Sequence, residues 1–228
     1  MKVVILAGGM GTRLGSVTQL MPKPMVRVGS KPMIWHIMKI YSYYGFKEFV
    51  LCLGYKGEMI KDYFANYDFK NSDFTVDLSN RSIDFHQKSD EDWKITLVDT
   101  GEKTLKGGRI KKIEKYLDSD INMLTYGDGV ANINLQSLFE FHKSHGKLVT
   151  ITGVRPPSMF GEVIEDEGQV ISFEEKPQTS KGLINGGFMV FNKKMLNYLL
   201  PEENCDFEFG PLEKITNEGE VMVYKHDG

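Results

Sequence analysis

The sequence holds two cysteines, Cys52 and Cys205, 153 positions apart in a chain of 228 residues. That is too few for a disulfide framework, and the twelve methionines add no metal-type spacing, so a reducing cytoplasm is the expected setting. Long apolar runs are also missing. One lysine and then only Val3 to Ala7 precede the first glycines, too short for the apolar region of a signal peptide. No stretch approaches the roughly 18 apolar residues of a membrane span. Charge of one sign is scarce as well: 28 basic and 31 acidic side chains leave a net charge of −3. Such a balance gives no global attraction to nucleic acid or an anionic membrane, and any bound polyanion must be held locally. What is present is 41% hydrophobic residues, 26% charged residues and 23 glycines, a globular composition that excludes disorder, collagen and coiled coil. Against about 150 residues per domain, this length predicts one large domain with an elaborated lobe.

Val3 to Leu6 form a continuous apolar run that stops in glycines, which predicts a strand buried on both faces. From Pro32 the apolar positions Ile34, Ile37, Met38 and Tyr41 recur at helical spacing, with Gly45 where a C-terminal cap belongs. Strand Phe46 to Leu53, helix Glu58 to Tyr67, strand Ile95 to Val98, helix Ile110 to Leu117, strand Asn122 to Thr125 and helix Leu135 to His145 follow in alternation. Alternation of this kind predicts an α/β fold with a mostly parallel sheet and covering helices. Two β-hairpin excursions interrupt it, Asp73 to Gln87 and Gly161 to Glu174, the second followed by a strand at Gly187 to Phe191 and two short helical stretches. The expected organisation is a main part over residues 1–152 and a substrate lobe over residues 153–228, without a separating linker.

Directly after the first strand stands Leu6-Ala7-Gly8-Gly9-Met10-Gly11-Thr12-Arg13-Leu14, where glycines let backbone amides close on an anion. The dinucleotide fingerprint fails because Leu14 occupies a position that needs glycine, and Gly-Lys-Ser/Thr of the Walker loop is absent. On its own the loop is equally a tight turn leaving a buried strand. Ten residues later Pro22-Lys23-Pro24-Met25 holds one lysine between two prolines, which reduces the entropy lost when the ammonium is positioned against a phosphate.

Together these two stretches resemble the signature of sugar-1-phosphate nucleotidyltransferases, enzymes that join a nucleoside triphosphate to a sugar phosphate. Further stretches carry the resemblance along the whole chain: Trp35 to Tyr41, Leu53-Gly54-Tyr55-Lys56-Gly57, Val98-Asp99-Thr100-Gly101, Tyr126-Gly127-Asp128-Gly129-Val130, Phe173-Glu174-Glu175-Lys176-Pro177 and Ile184-Asn185-Gly186-Gly187-Phe188. They are similar to the branch that makes CDP-glucose and pyrophosphate from CTP and glucose 1-phosphate. The resemblance implies a Rossmann-like nucleotidyltransferase fold, Mg²⁺ as cofactor and a homo-oligomer. Other base or sugar specificity, or a nucleotide-binding module without turnover, are the alternatives.

In that reaction a phosphate oxygen of the sugar phosphate attacks the α-phosphorus of the triphosphate. A triphosphate carries about four negative charges, and Arg13, Lys23 and one Mg²⁺ supply about four positive ones. The resemblance therefore gives catalysis to Arg13, a fork suited to β/γ oxygens, and to Lys23, a compact charge between the α-phosphate and the sugar phosphate. The attacking oxygen is already ionised, so no protein nucleophile and none of the five histidines is needed. Leu6 to Arg13, Lys23 and Gly127 are the expected nucleotide contacts. Asp128, at the carboxyl end of a predicted strand, is the expected Mg²⁺ ligand. The resemblance implies a second metal aspartate, in a Trp-Gln-Pro-Met-Asp stretch beyond position 228 that Asp227 does not match, so either the chain or its metal site is expected to be incomplete. Glu175, Lys176, Asn185 and Gly186 are expected to hold the sugar phosphate. For the base, Arg109, backed by the Thr104 hydroxyl and close approach at Gly107, would donate to N3 or O2 of cytosine. The alternative is that Arg109 starts the following helix with its charge in solvent. His142 and His145 are expected to be solvated on a helix face rather than metal ligands.

Overall fold

A computed structural model describes residues 1–11, 20–87, 90–156, 162–174 and 182–226. Val3–Ala7 forms β1, buried along its whole length as its apolar run requires. A small ribbon of β2 (Arg27–Val28) and β3 (Lys31–Pro32) leads into α1 (Met33–Tyr43). Pro32 sets the extended entry to α1, and Gly45 at φ +85° closes it, with Gly45 N–H on Ser42 and Phe46 N–H on Tyr41. β4 (Glu48–Leu53) follows, then α2 (Gly57–Ala65) and α3 (Tyr67–Asn71), a helix pair where one helix to Tyr67 was expected. The first excursion is the hairpin β5 (Phe74–Asp77) and β6 (Ser82–Phe85). β7 (Lys94–Asp99), α4 (Lys106–Lys112), β8 (Ile121–Tyr126) and α5 (Leu135–His145) continue the alternation. β9 (Val149–Val154) comes next, then the hairpin β10 (Glu162–Asp166) and β11 (Gln169–Glu174). β12 (Ile184–Asn192), α6 (Glu213–Asn217) and β13 (Val221–His226) complete the fold.

Seven strands make one sheet in the order β13-β9-β12-β8-β1-β4-β7. β12 alone runs antiparallel to its neighbours β8 and β9; the other pairings are parallel. Side chains alternate between faces, so Val3, Ile5 and Ala7 enter a core with α1, α2 and α5, while Val4 and Leu6 enter a second core with α4, α6 and the 3₁₀ segment Lys193–Tyr198. The carboxyl ends of β1, β4, β7 and β8 meet at one rim, where ligands of open α/β sheets bind.

Two expectations are corrected, and two strands are added. The helix expected over residues 110–117 begins at Lys106 and gives way to a 3₁₀ turn at Glu114–Tyr116. Gly107 and Gly108 are helical because this turn packs on other backbone: a Cβ on Gly107 would lie 2.6 Å from the Asp206 carbonyl oxygen, and one on Gly108 would strike Glu202. β9 and β13 were not anticipated; Thr150 and Thr152 are fully buried despite their hydroxyls, and β9 crosses residue 152, so one sheet spans both expected parts. His142 is buried rather than solvated, facing Thr150 across the α5–β9 contact.

Candidate active site

The rim of the sheet carries a cleft of about 520 Å³ lined by Leu6 to Gly9, Gly11, Lys23, Pro24, Thr104 to Lys106, Arg109, Tyr126 to Asp128 and Glu208. Gly8 and Gly9 leave β1 directly, and Gly11 takes φ +67°, a conformation glycine adopts without penalty. Lys23 sits in the 3₁₀ turn Lys23–Met25, fixed by Pro22 and the buried Pro24. Its ammonium lies 3.2 Å from Asp128 Oδ2 at the end of β8. A cation and a hard anion thus stand side by side at the mouth of β1 and β8, both partly exposed, where incoming phosphates can reach either. Gly127 N–H donates to the Leu6 carbonyl at 3.0 Å, and a side chain there would crowd the same oxygen, so the Tyr-Gly-Asp turn is drawn against the glycine loop.

Arg109 stands neither in solvent nor with its fork open to a base. It is buried, and both terminal nitrogens are committed: Nη1 donates to the Leu53 carbonyl at 2.9 Å and to Thr100 Oγ1 at 2.8 Å, Nη2 to the Gly8 carbonyl at 3.0 Å and to the Glu102 carbonyl at 3.1 Å. Among the described residues only Nε–H of its five donors has no partner. Burial pulls the guanidinium pKa below its ordinary value, and the four acceptors compensate the lost hydration. Gly8 and Gly54 lack side chains where this guanidinium lies, so the first glycine of the loop serves arginine insertion as well as anion approach. The other members of the expected base loop are similarly engaged. Thr104 Oγ1 accepts from the Lys112 ammonium at 3.0 Å, and the open side of Gly107 faces Asp206 rather than the cleft.

On β12 Asn185 is exposed, its Oδ1 accepting from Gly187 N–H at 2.9 Å. Gly186 was expected to let a sugar approach the backbone. A Cβ there would instead lie 2.8 Å from Val154 Cγ1, so its smallness serves the β12–β9 contact. Thr12, Arg13, Glu175 and Lys176 lie outside the described residues. Leu6, Ala7, Gly8, Gly9, Gly11, Lys23, Thr104, Arg109, Gly127 and Asp128 are brought to one cleft, whereas Met10, Gly107, Asn185 and Gly186 are not among its lining.

Five lining residues were not among the expected contacts: Pro24, Leu105, Lys106, Tyr126 and Glu208. Tyr126 stands in the Tyr126-Gly127-Asp128 stretch, where only the glycine and the aspartate carry a local phosphate or metal signal. Glu208 has no local signal; it opens the kinked segment Glu208–Leu212, and an 82-position separation lies between it and its partner Tyr126. Among the described residues no group of three or more His, Cys, Asp or Glu side chains is placed to hold a metal. Asp128 offers a carboxylate oxygen, a hard donor of the kind Mg²⁺ takes.

Residues 2–226 match the model of the nucleotidyl transferase family. A glucose-1-phosphate cytidylyltransferase from Salmonella typhi is 46% identical over 229 aligned residues that cover all of this chain and 89% of that protein. A D-glycero-alpha-D-manno-heptose 1-phosphate guanylyltransferase from Aneurinibacillus thermoaerophilus is 31% identical, over 94% of this chain and 84% of its own. Among solved structures, that of HddC from Yersinia pseudotuberculosis complexed with GMP-PN superposes with a TM-score of 0.70 at 27% identity, over 99% of this chain and 90% of that one. With its glycine loop, Lys23 and Asp128 on the rim of a mostly parallel sheet, this chain belongs to the nucleotidyl transferase family.

Proposed function

We propose that the protein transfers a cytidylyl group from CTP to glucose 1-phosphate, releasing pyrophosphate and CDP-glucose. The observation that carries this is the full-length similarity to a glucose-1-phosphate cytidylyltransferase together with the Lys23–Asp128 pair set against the glycine loop. A phosphate oxygen of the sugar phosphate, ionised at neutral pH, attacks the α-phosphorus in line with the departing pyrophosphate. Positioning and charge neutralisation are then the whole task of the protein. Amides of the loop from Gly8 to Gly11 receive the triphosphate. Lys23 sits between the α-phosphate and the sugar phosphate and offsets the repulsion of the two anions as they close on each other. Arg13 takes the β/γ oxygens.

Asp128 would hold Mg²⁺, and its fit rests on a carboxylate oxygen at the cleft wall beside Lys23. When bound, the ion supplies further positive charge to the phosphate oxygens. Glu175, Lys176 and Asn185 take the sugar phosphate. The base lies against the Thr104–Arg109 segment, where Nε–H of Arg109 is the donor left for an acceptor of cytosine. Uracil turns an N–H toward the same place, which costs about 1–3 kcal/mol in a closed site. A cytoplasmic setting and a homo-oligomeric assembly belong to the same proposal. Among the described residues no helix is long and apolar enough to cross a membrane.

The test is pyrophosphate release from CTP, UTP, GTP and dTTP, each with glucose 1-phosphate and Mg²⁺. CTP is expected to exceed UTP in kcat/KM by about ten- to a hundred-fold. Equal rates with UTP, or preference for a purine nucleotide, would overturn the assignment of the base. Binding of CTP without pyrophosphate release would favour a nucleotide-binding module.

A further inference from the structure

Behind the amide of Asn185 runs a chain of hydrogen bonds with one direction. Asn185 Oδ1 accepts from Gly187 N–H, and this fixes the amide, because the flipped orientation would set its NH₂ against another N–H. Asn185 Nδ2 then donates to the Tyr126 hydroxyl at 3.4 Å, and that hydroxyl gives its single hydrogen to Glu208 Oε1 at 2.5 Å. Glu208 Oε2 forms an ion pair with the Lys106 ammonium at 2.5 Å, without the alignment of a hydrogen bond, and Asp206 Oδ1 accepts from Glu208 N–H at 3.0 Å. Each hydrogen bond of the chain has one possible polarity: a carboxylate only accepts, and the phenol has one proton to give, while Lys106 adds the charge that balances Glu208. The ring of Tyr126 is held in place as well. A Cβ on Gly187, at φ +85°, would lie 2.8 Å from its edge, so the β12 backbone rests directly on the tyrosine. Burial, and then the neighbouring carboxylate, raise the phenol pKa above its ordinary value and keep the hydroxyl a donor.

Lys106, Tyr126 and Glu208 line the same cleft as the glycine loop, and the chain crosses from the first turn of α4 to β12. We propose that Tyr126, Glu208 and Lys106 are positioning residues for the sugar 1-phosphate. They hold Asn185 so that one Nδ2 hydrogen and one Oδ1 lone pair face a sugar hydroxyl. This inference rests on reading Asn185 as a sugar contact. Its consequence is a split in the kinetics: breaking the chain loosens the sugar phosphate and leaves the nucleotide held by the loop.

Tyr126→Phe keeps the ring under Gly187 and removes only the hydroxyl. The expected result is a rise of about tenfold in KM for glucose 1-phosphate, the scale of one lost charge-assisted positioning bond, with KM for CTP changed by less than about twofold. Glu208→Gln, which still accepts from the phenol, should raise the sugar KM less than Glu208→Leu does. Tyr126→Phe combined with Glu208→Leu should be no worse than the poorer single variant, as for residues that act as one unit. An unmoved sugar KM in Tyr126→Phe, or equal rises in both KM values, overturns the proposal. Asn185→Ala in the same assay separates the two readings. If it raises the sugar KM while Tyr126→Phe does not, the sugar site stands and the chain behind it falls; if neither moves, the reading of Asn185 falls too.

Discussion

A lone carboxylate beside a lysine at a cleft wall has two possible uses, an ion pair or a metal ligand, and Asp128 can serve both in sequence. Its 3.2 Å contact with Lys23 is partly exposed and contributes little stability. Asp128→Asn should therefore fold normally and lose most Mg²⁺-dependent turnover, since a neutral amide is a poor ligand for a hard cation. Mg²⁺ titration of the rate would contradict this if the variant kept the wild-type dependence. Arg109 has a different fate because three buried acceptors and the part-buried Glu102 carbonyl depend on it. Orphaning buried acceptors costs about 1–3 kcal/mol each. Arg109→Ala should lower the unfolding free energy by at least about 2 kcal/mol and raise KM for CTP, because the Gly8 carbonyl loses its anchor. Urea unfolding checks the first part, and an unchanged midpoint would mean that these bonds contribute nothing. At this scale the sequence was informative where residue types are forced by local chemistry, as at Lys23 and Asp128. It left open whether Arg109 faces the cleft or solvent, because its Gly8 partner is 101 positions away.

Two elements show how packing overrides local propensity. α4 begins with paired glycines, which cost a helix roughly 1 kcal/mol each against alanine, yet the turn forms because the 202–206 backbone lies against it. Leu105 N–H and Gly108 N–H donate to Glu203 and Cys205 carbonyls, tying the helix start to that segment. Gly107→Ala should thus destabilise the fold by about 1–3 kcal/mol despite the better helix propensity, through overpacking. A more stable variant by thermal melt would refute the close approach.

The second element is the α5–β9 contact. Lys147 N–H donates to His145 Nδ1, so His145 Nε2 carries the proton toward Thr150, whose hydroxyl then donates to His142 Nδ1. This order holds only with both rings neutral. Burial, and then His145, depress His142 to about 4, and burial foremost lowers His145, beside which Lys147 and Glu220 are the charged groups. A folded pKa below the unfolded value near 6.5 gives stability that is complete above about pH 6.5 and lost as pH falls toward 4. Between pH 7 and pH 5 the protein should lose about 2 kcal/mol, and His142→Leu should flatten that slope. Urea unfolding at the two pH values reads both, and a flat wild-type profile contradicts the buried neutral pair.

Across the molecule, the strands β1, β4 and β8 were legible because burial on both faces leaves uninterrupted apolar runs. β9 was not, since Thr150 and Thr152 read as polar until their burial between α5 and β13 is seen. β13 is an edge strand with Met222 and Val223 half open, and it carries too weak a pattern to stand out. The cleft was legible on its phosphate side, where Gly8, Lys23 and Asp128 follow strand ends or fixed turns. The wall of Lys106, Tyr126 and Glu208 was not, because only the finished sheet brings it together. The proposed reaction is direct transfer at the α-phosphorus, driven by Lys23 without a protein nucleophile. Chemical quench of a single turnover with CTP labelled at the α-phosphate and saturating glucose 1-phosphate tests it most directly. The label should pass from CTP to CDP-glucose with none on the protein, and Lys23→Ala should slow that step by at least about 100-fold while remaining folded. Label bound covalently to the protein, or an undiminished rate in Lys23→Ala, would contradict the account.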